Sequence, residues 1–116
     1  MSDYTIYHNP RCSKSRATLA LLEENGVEPT VVRYLEAPLD KAQLQELLLK
    51  LGISPAELLR RGEAEYKELG LNAQSSDQEV LQAMSNHPKL IERPIVVRGD
   101  RAVLGRPPEN VLELLD

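Results

Sequence analysis

The amino-acid sequence predicts an α/β fold built on a mixed four-stranded sheet, and three observations point to it. Short β-branched or aromatic runs, YTIY at 4–7, TVVRYL at 30–35 and IVVR at 95–98, are separated by segments with helical periodicity. One helical segment lies between the first two runs, the pattern of a right-handed β-α-β unit with parallel strands. The last strands flank Gly99-Asp100, a pair suited to a two-residue antiparallel hairpin. With 116 residues, 41% of them hydrophobic, the chain can fill one core but not two, so residues 1–116 are expected to form a single domain. Four Tyr and no Phe or Trp leave that core to aliphatic packing.

Taken in order, Tyr4–Tyr7 reads as a strand, followed by the polar turn His8-Asn9-Pro10-Arg11 and a helix from about Ser13 to Asn25, with Gly26 as its stop. The second strand follows Pro29. Asp40-Lys41-Ala42-Gln43 has the form of a capping box ahead of Leu44, Leu47, Leu48 and Leu51, and Gly52 closes that helix. Ser54-Pro55-Ala56-Glu57 starts another, expected to carry Leu58, Leu59 and Arg60 and to stop near Gly62. A short helix is expected around Glu63–Leu69, and one more from Ser76-Asp77-Gln78-Glu79 to about Ser85. Ile95–Arg98 and Ala102–Leu104 then pair, and Pro107-Pro108 open a last helix through Val111, Leu112, Leu114 and Leu115. The order β-α-β, helices, β-β-α is that of a thioredoxin-like fold with a helical insertion at about 38–90.

A formal charge of −4 argues against non-specific binding to nucleic acid or an anionic membrane, both of which need a positive field. Asp3, His8 and Pro10 interrupt any signal-peptide core, and no run approaches the ~18 apolar residues of a membrane span. The expectation is a cytoplasmic protein.

Cys12 is the only cysteine, which excludes an internal disulfide, and two separate histidines, His8 and His87, do not make a metal site. Where strand 1 passes into helix 1, the Cys12 sulfur would lie beside free N–H groups of the first turn, with Arg11, Lys14 and Arg16 nearby. That favours a nucleophilic thiolate, against the alternative of a buried structural cysteine. His8 could assist as a cation or merely form the turn. Ser15 completes a C-x-x-S spacing; its hydroxyl can donate a hydrogen bond to sulfur but cannot form a disulfide, so electrons must come from another molecule. Arg60, Arg93 and Arg106 fall at element ends, where they could converge on a tetrahedral oxyanion or be ordinary surface bases. Arg60 and adjacent Arg61 are not distinguished by sequence. Arg93-Pro94 is a candidate cis bond.

The run YHNPRCSKSRATL, YLE at 34–36, LLRR at 58–61, HPKLIERPIVV from His87 to Val97, and LGRPPE from Leu104 to Glu109 resemble the glutaredoxin-coupled arsenate reductase family over essentially the whole chain. The resemblance implies a thioredoxin-like fold, Cys12 as catalytic nucleophile, Arg60, Arg93 and Arg106 as oxyanion ligands, and His8 and Ser15 as thiolate-stabilising residues. It implies arsenate as substrate, glutathione as co-substrate and glutaredoxin as electron donor, with no bound cofactor or metal. A monomer is expected. Better-characterised members read Cys-Gly-Thr-Ser-Arg where this chain reads Cys12-Ser13-Lys14-Ser15-Arg16, which adds a charge to the loop. Two alternatives share the fold: a glutathione-dependent thiol oxidoreductase acting on another substrate, and a regulator of the related Spx type that binds RNA polymerase.

Overall fold

Thr5 and Ile6, set between tyrosines, suit a half-buried pleated strand, and Tyr4–Tyr7 forms one (β1), with Ile6 fully buried. The computed structural model describes residues 4–36, 38–72 and 74–115. Helix α1 covers Ser13–Glu24 and stops at Gly26, whose φ is +79°. There Gly26 N–H donates to Glu23 O and Val27 N–H to Leu22 O, each at 3.0 Å, the paired bonds of a Schellman motif. Strand β2 (Thr30–Val32) lies parallel to β1, with Ile6 opposite Val31.

Strand β3 (Ile95–Arg98) pairs antiparallel with β1, Val96 opposite Ile6, and β4 (Arg101–Leu104) pairs antiparallel with β3. The order is β2-β1-β3-β4, a mixed four-stranded sheet. Gly99, at φ +62°, supplies the positive φ that the β3–β4 turn requires. Ile6, Leu22, Val96, Val111 and Leu114 form the aliphatic core of this unit, each contributing about 1.5–3 kcal/mol by burial.

The closing segment Pro108–Leu114 is a 3₁₀ helix, not the α-helix the sequence suggests, and Leu115 lies outside it. Pro107 is its N-cap and Pro108 its first residue, positions whose N–H groups have no intrahelical acceptor, so both prolines are tolerated there. The segment's bonds take the tighter spacing, Asn110 N–H to Pro107 O at 3.0 Å and Leu115 N–H to Leu112 O at 3.1 Å.

The chain divides into two compact units, one drawn from 1–37 and 93–116, the other from 38–92. In the second unit, helix α2 (Lys41–Leu51) opens on the expected capping box. Gln43 N–H donates to Asp40 Oδ1 at 2.8 Å, and Asp40 N–H to Gln43 Oε1 at 2.9 Å. Helix α3 is only Pro55–Leu58, although its start forms as predicted, with Ser54 N–H donating to Glu57 Oε2 at 2.7 Å. It ends early because the next residues find extended partners. Leu59 bridges Ile91, Arg60 N–H donates to Leu90 O at 2.7 Å, and Glu92 N–H donates to Leu58 O at 2.8 Å. Helix α4 (Ala64–Glu68) and helix α5 (Asp77–Asn86, capped by Ser76) follow, then a 3₁₀ turn at Pro88–Leu90 that sequence periodicity did not suggest. Among the described residues no helix is long and apolar enough to cross a membrane.

Candidate active site

Asn9 winds the loop that presents the thiol. Its side-chain Oδ1 accepts from Arg11 N–H and its backbone O from Cys12 N–H, both at 3.0 Å. Cys12 is thereby held extended (φ −95°, ψ 123°) at the N-cap of α1, half-buried, with its own carbonyl accepting from Arg16 N–H. Serine or aspartate at this position would cap the helix with a side-chain oxygen. Sulfur is a weak acceptor, and among the described residues no side chain caps α1. Donors of the first turn are therefore left for a thiolate or for oxygens of a bound anion.

Beneath the loop, His8 and Ser15 are buried, at 6% and 0% exposure. His8 Nδ1 lies 2.6 Å from Ser15 Oγ, which also accepts from Asn9 N–H at 3.1 Å. Burial, helped by the positive charges of Arg33 and Arg16, lowers the His8 pKa from 6.5. The shift favours the neutral ring over the cationic role that the sequence allows for His8. A neutral ring gives the pair two arrangements. If Nδ1 carries the proton, His8 donates to Ser15 and the serine hydroxyl proton is free for another acceptor; if not, that proton is committed to His8.

Arg93 and Arg106 adjoin the two segments that close on α1. Gly105 N–H donates to Pro94 O at 2.9 Å, and Thr18 Oγ1 lies 3.3 Å from Gly105 O and 2.8 Å from Lys14 O. A Cβ on Gly105 would fall 2.6 Å from Thr18 Oγ1 and 2.8 Å from Pro94 Cγ, so only glycine fits. The Arg93-Pro94 bond is cis, as is Arg106-Pro107, which the sequence reading did not single out. Arg93 is half-buried, and its Nε and Nη1 are buried without a partner among the described residues. Buried donors are normally satisfied, so this guanidinium is the group in the sheet unit most in need of an anion.

Arg60 lies in the helical unit and is engaged by carboxylates. Its Nη1 bonds Glu63 Oε1, and its Nε is 3.6 Å from Glu92 Oε1. Neighbouring Arg61 is exposed. Thr18 and Gly105 were missed by residue-type reasoning; the signal for them was the glycine before Arg106, in a loop where a strand gives way to a helix. Among the described residues no group of three His, Cys, Asp or Glu side chains could hold a metal.

A mixed sheet with a thiol at the start of its first helix defines a thioredoxin-like thiol protein. The ArsC family profile matches residues 7–114, and the chain belongs to that family. It is 60% identical over 112 residues to the uncharacterized protein YfgD of Escherichia coli K12, covering 95% of this chain and 94% of that protein. It is 51% identical to an arsenate reductase of Haemophilus influenzae, covering 95% and 97% of the two chains. The solved arsenate reductase of Vibrio cholerae superposes with a TM-score of 0.93 at 52% identity, over 97% of each chain.

Proposed function

We propose that the protein is an arsenate reductase that uses Cys12 as its nucleophile and glutathione and glutaredoxin as electron donors. The observation that carries this reading is a thiol at the uncapped start of α1 in the same unit as Arg93, a buried guanidinium with unpartnered Nε and Nη1. Family membership and the names of close relatives support the choice of arsenate among oxyanions.

In this mechanism Arg93, with Arg106, binds the arsenate oxygens, and the first-turn N–H groups of α1 add donors. The Cys12 thiolate attacks arsenic, an S–As bond forms, and an arsenate hydroxyl takes up one proton from solvent and leaves as water. Glutathione thiolate then attacks the Cys12 sulfur, and the S–As bond breaks with its electron pair on arsenic. The arsenic is released as arsenite, and Cys12 and glutathione remain as a mixed disulfide. Two thiols have each lost one electron and arsenic has gained two. Glutaredoxin reduces the mixed disulfide and regenerates Cys12. Ser15, with its proton freed by the Nδ1–H form of His8, donates to the thiolate.

Glutathione is a co-substrate, and no cofactor or metal takes part. The chain acts as a monomer in the cytoplasm, where a reducing thiol pool keeps Cys12 reduced.

The test is a coupled NADPH-oxidation assay with arsenate, glutathione, glutathione reductase and glutaredoxin, comparing wild type with Cys12→Ser. Cys12-dependent turnover is expected. Background rates from both proteins, with rapid alkylation of wild-type Cys12, would remove arsenate as the substrate while leaving a reactive thiol.

A further inference from the structure

The sheet unit holds a cavity for which the chemistry above has no use. Strands β1 and β2 are parallel, so their carboxyl ends leave the sheet at the same edge, where His8 follows one and Arg33 the other. His8 N–H donates to Val32 O at 2.8 Å and ties the two exits together. Cys12 starts α1 from the loop that His8 opens, so the cavity lies at the edge that carries the thiol. Open α/β sheets bind ligands in the crevice outside such strand ends. The cavity measures about 580 Å³ and is lined by His8, Leu19, Val31, Val32, Arg33 and Glu36. That volume falls within the roughly 300–1,000 Å³ of small-molecule sites. Val31, 43% exposed, is an apolar wall left open to solvent. Arg33 and Glu36 are exposed ends of one turn, closed by Glu36 N–H donating to Arg33 O at 2.9 Å. Neither is ion-paired with the other or with any described residue. His8, only 6% exposed, spends Nδ1 on Ser15, and its Nε2 has no hydrogen-bond partner among the described residues.

An unpaired cation and an unpaired carboxylate on one turn suit a ligand that carries both charges at one end. An ordinary peptide has its ammonium and carboxylate at opposite ends. The γ-linkage of glutathione leaves both on a single carbon, so that one head group can meet Arg33 and Glu36 together. We propose that this cavity is the glutathione site, with the γ-glutamyl head group between Arg33 and Glu36 and a ligand amide N–H donated to His8 Nε2. This rests on the reading of glutathione as co-substrate. A donor at Nε2 holds the His8 proton on Nδ1, the form that frees the Ser15 hydroxyl proton for the Cys12 sulfur. Glutathione bound here therefore prepares the thiol site as it brings its own thiol to the same edge.

Nuclear magnetic resonance titration of isotope-labelled Cys12→Ser protein with S-methylglutathione, which forms no disulfide, reads binding without turnover. The amide signals of Leu19 and of residues 31–36 should shift and saturate. Arg33→Gln and Glu36→Gln should each weaken binding about threefold, as expected of exposed ion pairs. Arg101→Gln, which alters an exposed arginine on β4, should leave it unchanged. S-methylcysteinylglycine, which lacks the γ-glutamyl group, should bind more weakly and be indifferent to Arg33→Gln. Shifts that spare those amides overturn the proposal, as do wild-type affinities in both charge variants or equal binding of the truncated ligand. The same spectra show whether each variant is folded. Binding as expected in a protein that fails to reduce arsenate keeps the cavity as a glutathione site and removes only arsenate. Glutathione-dependent arsenate turnover without these shifts keeps the enzyme and removes the cavity.

Discussion

Arg93 and His8 show how far one side chain's surroundings decide what it can do. The Nε and Nη1 of Arg93 make no hydrogen bond among the described residues, so shortening the side chain breaks no internal partnership. Arg93→Ala should therefore raise the arsenate KM about tenfold while changing the rate of Cys12 alkylation by less than about twofold, as steady-state kinetics and iodoacetamide labelling would report. Parallel loss of both would mean that Arg93 supports the loop and does not hold the anion. His8 gives a pH prediction of definite sign. Burial lowers its pKa in the folded state, so the unfolded chain takes up a proton first as pH falls below 6.5. His8's contribution to stability is complete above that value and declines below it, until the native ring also protonates. Urea midpoints between pH 8 and 5 should fall across this window, and His8→Gln should flatten the decline; an unchanged slope would contradict a buried neutral ring. Cys12 and the arginines were legible as candidates from residue type and position alone. The direction of the His8 shift was not, because it is set by burial and by charges such as that of Arg33, which only folding brings near.

At the scale of elements, what was written locally could be read. The boxes at Asp40-Gln43 and Ser76-Glu79 span four residues each, and both form with reciprocal bonds. Helix α3 was overextended because its stop depends on Leu59 meeting Ile91, a partner 32 positions away. The closing 3₁₀ segment was read as an α-helix because apolar spacing over seven residues does not separate the two forms. Gly105 lies between these cases. It is visible as a glycine after a strand, but its reason is tertiary, since Thr18 from α1 and Pro94 fill the space a methyl group would take. Gly105→Ala should destabilise the fold by about 1–3 kcal/mol in urea denaturation, the usual penalty for overpacking. Thr18→Ala in the same chain should recover part of the loss by removing Oγ1, the nearest clashing atom. A change below about 0.5 kcal/mol for Gly105→Ala would show that the loop relaxes freely.

Over the whole molecule, the sheet unit is assembled from both ends of the chain, with residues 38–92 between them. That order was legible because each strand and helix start had its own local signal. The electron count is also a property of the whole chain. Reduction of arsenate to arsenite takes two electrons, and 116 residues contain one sulfur able to give up one by forming a disulfide, Cys12. Protein mixed with arsenate and no other thiol should consequently release no arsenite, however long it is incubated. Supplying glutathione without glutaredoxin should allow one arsenite per protein and leave glutathione on Cys12, visible by intact-protein mass spectrometry. Glutaredoxin should then restore the free thiol and turnover. Arsenite formed without added thiol would require a second electron source, such as the Cys12 of another copy joined in an intermolecular disulfide, and release of arsenite with no glutathione adduct would mean that the external thiol attacks arsenic and never meets the Cys12 sulfur. In that second case the nucleophile would stand, but Cys12 would give up no electron, and two external thiols would supply both and leave as their own disulfide.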